Sequence, residues 1–229
     1  MPEIIRSASV SDLDAVAYLE KHCFPSSEAA DRNSFSVRLR SFPECFWVSE
    51  EHEHIISMIN GMSAQQRDLR DEMYTDTTLY EPNGAWLMLF GVATAPDRQH
   101  HGYATRLMHH VIEDTKRKNR QGIVLTCKES LIPFYQRFGF VCEGKSVSMH
   151  GDAEWYQMRL TFQDELLRCA ESGEECTFYR NGNQFLLYGW GQCDGVFLNV
   201  ADENGEIVWQ AVGRSRKECA AQLQTEFLI

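Results

Sequence analysis

The sequence lacks several features that would point to particular classes of protein. No two of its eight cysteines stand at C-x-x-C spacing, so it has no signature of a structural zinc site. Basic residues are in the minority, with 22 Lys and Arg against 33 Asp and Glu and a formal net charge of -11. Nucleic-acid-binding surfaces are usually basic, so we expect no nucleic-acid partner. The negative charge would suit a cationic ligand, or it serves solubility alone.

Long apolar segments are also absent. The longest uncharged run, residues 82–96, is too short and too interrupted to span a bilayer. The first ten residues contain no apolar signal core. Several cysteines lie inside apolar runs, as buried free thiols do. We therefore expect a cytoplasmic protein in a reducing compartment, with no membrane partner.

Strand and helix patterns alternate up to about residue 162. Ser11 and Asp14 predict a capping box at the first helix, and apolar runs at residues 85–94 and 122–128 predict two buried strands. Beyond residue 162 the pattern changes to hairpins, one marked by Asn181 and Gly182, and a final helix. We predict a mixed α/β domain at residues 1–162 and a small α+β domain of unknown role at residues 163–229.

The stretch DRQHHGYATRLMHH, residues 97–110, contains four of the eight histidines. His109 and Glu113 stand at i,i+4 on a predicted helix, so two metal ligands could converge. Zinc needs at least three protein ligands, and His100 and His101 precede the helix. We therefore predict no metal site here.

The backbone of the same stretch suggests another use. An apolar strand leads into Q-H-H-G-Y-A, which opens a helix, and a helix start is a ready anion site. Gly102 permits close approach of the backbone to a ligand, and Ala104 is small. Neither G-K-[ST] nor G-x-G-x-x-G is present. An ordinary strand–loop–helix connection remains the alternative.

A second segment, LTCKESLIPFYQRFGF, places Tyr135 on a short helix after the next strand. Packing of Phe134 against Phe138 at i,i+4 would account for the aromatic residues. Tyr135 is offset from that pair, which leaves its hydroxyl available for chemistry.

Together these segments resemble the GNAT superfamily of acetyl-CoA-dependent N-acyltransferases, and within it the arylalkylamine (serotonin) N-acetyltransferase group. Residues 99–104 match the pyrophosphate loop [Q/R]-x-x-G-x-[G/A], and residues 132–140 match the helix VPFYxRFGF. The resemblance covers residues 3–162. It implies a GNAT-type twisted mixed sheet with helices on both faces, in which two parallel central strands splay apart around the pantetheine arm.

The resemblance also implies acetyl-CoA as cosubstrate, with no metal. Tyr135 would act as the general acid that protonates the departing thiolate. The basic residues at 116–120 either meet the 3′-phosphate or form a solvated helix end. The residues expected to bind the cofactor are Val92, Ala93, Thr94, Gln99, His100, His101, Gly102, Tyr103, Ala104, Thr105 and Phe134.

One departure from the arylalkylamine group concerns the acceptor. Its pair of strand histidines is replaced here by Met88 and Phe90. We take Glu28 as the candidate catalytic carboxylate; the alternatives for removing the amine's proton are Asp71, Glu72, Asp76 or water.

We predict an acyltransferase that moves an acetyl group from acetyl-CoA to the primary amine of a small molecule. The alternatives are a GNAT acetyltransferase for a polyamine, aminoglycoside or peptide amine, or a non-catalytic acyl-CoA-binding sensor. A homodimer is left open.

Overall fold

The computed structural model describes residues 3–148, 151, 153–180, 183–192 and 195–228. The chain forms two compact units. The first comprises Met1–Thr115 with Gly122–Leu160, and the second comprises Lys116–Gln121 with Thr161–Ile229. The second unit therefore takes in a short segment from the middle of the chain. Independent folding of residues 1–162 and 163–229 stays a prediction.

The first unit is built on a seven-stranded mixed sheet of order β1-β2-β3-β4-β5-β7-β6. Strands β1 to β4 pair antiparallel in sequence, whereas β4 and β5 pair parallel. The predicted mixed α/β fold class is confirmed. The strands are β1 (Ile4–Ser7), β2 (Phe46–Glu51), β3 (His54–Ala64), β4 (Trp86–Thr94), β5 (Gly122–Cys127), β6 (Val141–Lys145) and β7 (Tyr156–Thr161).

Four helices accompany this sheet: α1 (Leu13–Cys23), α2 (Arg32–Ser41), α3 (Tyr103–Arg117) and α4 (Ile132–Gln136). Short 3-10 turns precede α1 and α4 and interrupt the long connection between β3 and β4. The sequence HGDA predicts a turn at residues 150–153 between β6 and β7, and part of this segment lies outside the described residues.

The capping box lies two residues earlier than predicted, at the 3-10 turn Val10–Asp12 that precedes α1. Asp12, not Asp14, closes the capping box: its carboxylate accepts a hydrogen bond of 2.7 Å from the Ser9 amide. The guanidinium of Arg6 on β1 holds the same carboxylate at 2.8 Å. Both pairs have the right spacing, and the tertiary contact to Arg6 selects Asp12.

Helices α1 and α2 bury one face each against the sheet. Val16, Leu19, Phe35 and Leu39 form a cluster with side chains of β2 and β3. Full burial of one such side chain stabilises a fold by about 1.5–3 kcal/mol. Two charged residues of the same helices, Glu20 and Arg38, are also buried, at 5% and 4% exposure.

The second unit has a four-stranded antiparallel sheet of order β11-β10-β9-β8. Its strands are β8 (Cys176–Arg180), β9 (Asn183–Gln192), β10 (Gly195–Asp202) and β11 (Ile207–Gly213), and its helices are α5 (Phe162–Ser172) and α6 (Arg216–Gln222). Its separate core includes Leu166, Cys169, Leu187, Leu198 and Leu223.

Both predicted hairpins of this unit are present as paired strands, although Asn181 and Gly182 lie outside the described residues. The Ser215 hydroxyl caps α6 by accepting a hydrogen bond of 3.2 Å from the Glu218 amide. In the part of the chain that the structure describes, no helix is long and apolar enough to cross a membrane.

Candidate active site

A gap opens between the two parallel central strands. Their pairing runs from Trp86 with Gly122 to Leu89 with Leu125 and stops there. On the other side of β4 the register to β3 shifts, which leaves Phe90 as an extra residue. Such a bulge bends a strand and redirects its side chains. The second half of β4 therefore diverges from β5, as the resemblance implied.

The start of α3 lies at the mouth of this gap. Its first turn is closed by the Arg106 amide, which donates to the Gly102 carbonyl at 3.0 Å. The amides of residues 103–105 therefore have no partner within the helix. Gly102 has φ +84°, and a Cβ there would lie 2.7 Å from Arg106 Nη1. Glycine thus supplies both the left-handed backbone and the open approach that an anion at this helix start requires.

Side chains fix the loop that leads to the helix. His101 Nδ1 lies 2.7 Å from the Gln99 carbonyl, and Arg106 Nη1 donates to the His101 carbonyl at 3.1 Å. Gln99 Nε2 donates to the carbonyl of Thr94, the last residue of β4, at 3.3 Å. These three contacts hold the loop in its conformation.

A cleft of about 540 Å³ joins the gap to this loop. Ligand pockets in proteins measure about 300–1,000 Å³, so the cleft suits a cofactor-sized molecule. His101 is the predicted cofactor residue that does not line it. The predicted residues that do are Val92, Ala93, Thr94, Gln99, His100, Gly102, Tyr103, Ala104, Thr105 and Phe134.

Two cations that the sequence analysis missed also line the cleft, Arg98 and Arg137. The Arg137 guanidinium lies 5.1 Å from the centre of the Phe134 ring. The predicted basic cluster at residues 116–120 does not line the cleft. Lys116 is buried and pairs with Glu165 at 3.0 Å, so the prediction of a solvated helix end is wrong for that residue.

Tyr135 lies where the cleft meets a smaller cavity of about 80 Å³. Its ring is 6% exposed and contacts Phe134 and Phe140 edge-on. Burial, with a smaller effect of Cys127, raises the pKa of its hydroxyl above the ordinary value. Among the described residues the hydroxyl makes no hydrogen bond. The group is thus a protonated phenol at neutral pH, facing the gap.

On the far side of Tyr135, the 80 Å³ cavity adjoins a third one of about 260 Å³, and both are lined by Glu20, Glu28, Tyr74 and Phe90. The side chain of Glu28 is 7% exposed, and its carboxylate accepts a hydrogen bond of 2.7 Å from Lys128. The predicted carboxylate therefore lies beside the gap, already paired with a cation.

The other carboxylates considered from the sequence lie elsewhere. Asp71 accepts a hydrogen bond of 2.5 Å from the Ser148 hydroxyl, and Asp76 caps a 3-10 turn. Neither lines these cavities, and nor does Glu72. Of the residues that replace the histidine pair, Met88 is fully buried and Phe90 faces both cavities.

Sequence reasoning missed Glu20 and Arg38, although a signal existed. Leu13, Val16 and Glu20 share one face of α1, and Arg38 stands between the core positions Phe35 and Leu39. Charged residues are almost never fully buried without a partner. A charged residue at a core-facing position of a helix therefore indicates a candidate functional site.

No metal centre is apparent in the described ranges, where no group of three His, Cys, Asp or Glu side chains could hold an ion. The absence of a metal requirement stays a prediction.

Known proteins share the sequence pattern and the fold of this chain. The family model described as the acetyltransferase (GNAT) family matches residues 11–140. The chain belongs to the acetyltransferase (GNAT) family. The enzyme is thus an acyltransferase, as predicted. No curated protein matches the sequence.

Solved structures share the fold at low sequence identity. The loading GNATL domain of CurA from Lyngbya majuscula has a TM-score of 0.62 and 16% identity, covering 72% of this chain and 100% of that one. GphF GNAT-like decarboxylase in complex with isobutyryl-CoA has a TM-score of 0.58 and 19% identity, covering 69% and 98%. The yncA protein of Salmonella typhimurium with its cofactor acetyl-CoA has a TM-score of 0.52 and 15% identity, covering 69% and 93%. The predicted GNAT-type sheet is confirmed.

Proposed function

We propose that the enzyme transfers an acetyl group from acetyl-CoA to the primary amine of a small molecule. One observation carries the proposal: Tyr135 lines both the 540 Å³ cleft and the 80 Å³ cavity. A proton donor at that junction stands between the cofactor and the acceptor.

The cofactor's place follows from the cleft. The pyrophosphate would bind the free amides at the start of α3, where the helix dipole favours negative charge. Arg98 and Arg137 would add positive charge along the same cleft. The pantetheine arm would then run through the gap beside β4 towards Tyr135.

The chemistry needs one bond formed and one broken. The amine nitrogen attacks the thioester carbonyl, an N–C bond forms, and the carbonyl oxygen becomes an oxyanion. Backbone amides of residues 92–94, on the edge of β4 released from β5, would stabilise that oxyanion. When the intermediate collapses, the C–S bond breaks and the Tyr135 hydroxyl protonates the sulfur.

The amine must lose a proton to attack and to give a neutral amide. Glu28 and Glu20 both line the 80 Å³ cavity, and Glu28 is the carboxylate that we predicted for this step. Its 2.7 Å hydrogen bond from Lys128 holds the carboxylate in place. The proton then leaves to solvent and returns to Tyr135, which closes the cycle.

The acceptor side argues against an aromatic monoamine. The comparisons support the family and give no support to the arylalkylamine group. The histidine pair is absent, and charged side chains line the 80 Å³ and 260 Å³ cavities, which we assign to the acceptor. A cytoplasmic location and a homodimer belong to the same proposal.

The test is thiol release from acetyl-CoA, measured with purified enzyme against a panel of amines, with mass spectrometry of the products. We expect an N-acetylated product and free coenzyme A in equal amounts with at least one amine. Acetyl-CoA binding with no acceptor turned over would favour the sensor alternative. Release of carbon dioxide from a carboxylated acyl-CoA, without acyl transfer, would replace the proposal altogether.

A further inference from the structure

The 260 Å³ cavity contains a buried positive charge. Arg38, 4% exposed, is one of its lining residues. Its Nη1 donates to Asn60 Oδ1 at 2.8 Å and its Nη2 to the Tyr74 carbonyl at 3.0 Å. The guanidinium also lies 4.8 Å from the centre of the Phe90 ring. These partners are neutral, and within the described residues Arg38 forms no ion pair.

A guanidinium buried without a counter-ion is costly. Burial lowers the pKa of Arg38 to about 10, an effect that the negative charge of Glu20 partly offsets. The group therefore stays charged at neutral pH. Helix α2 thus holds a permanent cation at the wall of a cavity next to the transfer site, where a bound anion would neutralise it.

Glu20 carries a negative charge and lines the same cavity as Tyr135, the residue at which we place acyl transfer. Glu20 lines both cavities, whereas Arg38 lines the 260 Å³ cavity alone. Glu20 Oε1 accepts a hydrogen bond of 3.0 Å from the Ala30 amide. Its other oxygen lies 3.9 Å from the position that a Cβ on Gly91 would occupy. The absence of a side chain at Gly91 therefore leaves room beside this carboxylate.

Two further carboxylates line the 260 Å³ cavity, and each makes a specific contact. Glu28 pairs with Lys128. Asp31 is exposed and caps α2, accepting a hydrogen bond of 2.7 Å from the Ser34 amide. Glu20 thus lines the cavity that Tyr135 also lines, whereas Arg38 lines only the 260 Å³ cavity beyond it.

We infer that the acceptor is a free amino acid, whose amine binds beside Glu20 at the transfer site and whose carboxylate binds Arg38. The inference rests on the proposed function and names its substrate class. Guanidinium and carboxylate form strong, often bidentate, charge-assisted hydrogen bonds. A monoamine would leave Arg38 without a counter-ion, and a second ammonium group would meet it as a like charge. A cavity of 260 Å³ is small for a peptide or an aminoglycoside.

The experiment compares matched acceptors. Thiol release is measured with amino acids and with the amines that lack only the carboxylate, such as phenylalanine against phenethylamine and leucine against isopentylamine. Hydrogen bonds to charged groups contribute about 1.5–3 kcal/mol, which corresponds to about a 10–100-fold higher kcat/KM for the amino acid of a pair. Thermal shift by the same compounds, with coenzyme A present, reports binding without turnover.

A near-isosteric variant tests the role of Arg38 without emptying the core. Asn60→Asp places a carboxylate on the existing 2.8 Å contact and supplies the missing counter-ion from within. We expect it to lose the 10–100-fold preference and the thermal shift by amino acids, while its Kd for acetyl-CoA is unchanged. Asn204→Asp, at an exposed turn of the second unit, is the matched charge control and should behave as the wild type.

The outcomes separate the two claims. If an amino acid and the matching amine without a carboxylate are acetylated equally well, the inference is wrong and the proposed function still stands. No turnover of any acceptor overturns the proposed function, and the thermal shifts then decide the inference alone. Thermal shifts that are absent, or that Asn60→Asp retains, overturn the inference. If Asn60→Asp fails to fold, Ser34→Asp, which adds a carboxylate on the same cavity wall, takes its place with the same expected loss.

Discussion

Replacing Tyr135 by Phe removes one oxygen from the junction of the 540 Å³ cleft and the 80 Å³ cavity. The hydroxyl makes no hydrogen bond within the described residues, so its loss leaves no buried partner unsatisfied. Deleting such a group is close to neutral for stability, and the ring contacts with Phe134 and Phe140 remain. We therefore expect an unchanged melting temperature and an unchanged Kd for acetyl-CoA.

The loss should appear in kcat. General-acid catalysis contributes about 10²–10⁴-fold. Burial raises the pKa of Tyr135 above its ordinary value near 10, whereas a free thiol has a pKa near 8.5. Proton transfer from this phenol to the thiolate is therefore uphill, and we expect the lower end of the range, about 10²-fold. Because the raised pKa keeps the hydroxyl protonated, Tyr135 should cause no loss of activity in wild type below about pH 10.

Steady-state thiol release by the Tyr135→Phe variant, with a thermal melt, measures both effects. Tyr18→Phe is the matched control, since Tyr18 is 67% exposed on α1 and should be silent. Full activity of the Tyr135 variant would remove this residue from the mechanism and leave thiolate protonation to water. A fall in melting temperature alone would assign Tyr135 to packing.

Three further predictions concern the cofactor loop, an ion pair and the second unit. Gly102→Glu places a side chain and a negative charge at a position with φ +84°, so calorimetry should detect no acetyl-CoA binding; unchanged affinity in a folded variant would contradict the cofactor assignment. The hydrogen bond from Arg6, ahead of other causes, lowers the pKa of Asp12, so its stabilisation is present above the unfolded pKa and is lost as pH falls through the folded one. Asp12→Asn should therefore lower the free energy of unfolding by about 1–2 kcal/mol at pH 7. In denaturant melts the difference should begin to shrink below about pH 4 and disappear only below the lowered pKa of Asp12; a difference that does not shrink in acid would refute the linkage. A chain ending at Gln163 should retain acetyl-CoA affinity, at some loss of stability because Lys116 loses its partner Glu165; loss of its circular dichroism signal would refute independent folding.

The sequence by itself determined those features that depend on neighbouring residues: strands, helix starts and the spacing of side chains along a helix. Apolar runs gave the two central strands, and the helix start at Gly102 could be located because an unpaired helix N-terminus and a small residue are local properties. Tyr135 was found because its offset from Phe134 and Phe138 is fixed by helical spacing. The residues that line the 540 Å³ cleft were therefore largely predictable, and their role in binding the cofactor stays a prediction.

The cavities that we propose for the acceptor were decided only by the tertiary structure. Glu20 and Arg38 stand on different helices, and the fold brings both to one pair of cavities behind Phe90. Their burial depends on the packing of α1 and α2 against the sheet, which no local pattern specifies. Lys116 likewise reads as a solvated helix end until Glu165 is brought against it. A charge acquires its function from what surrounds it, because the cost of burial and the partner that offsets it are set by residues distant in sequence.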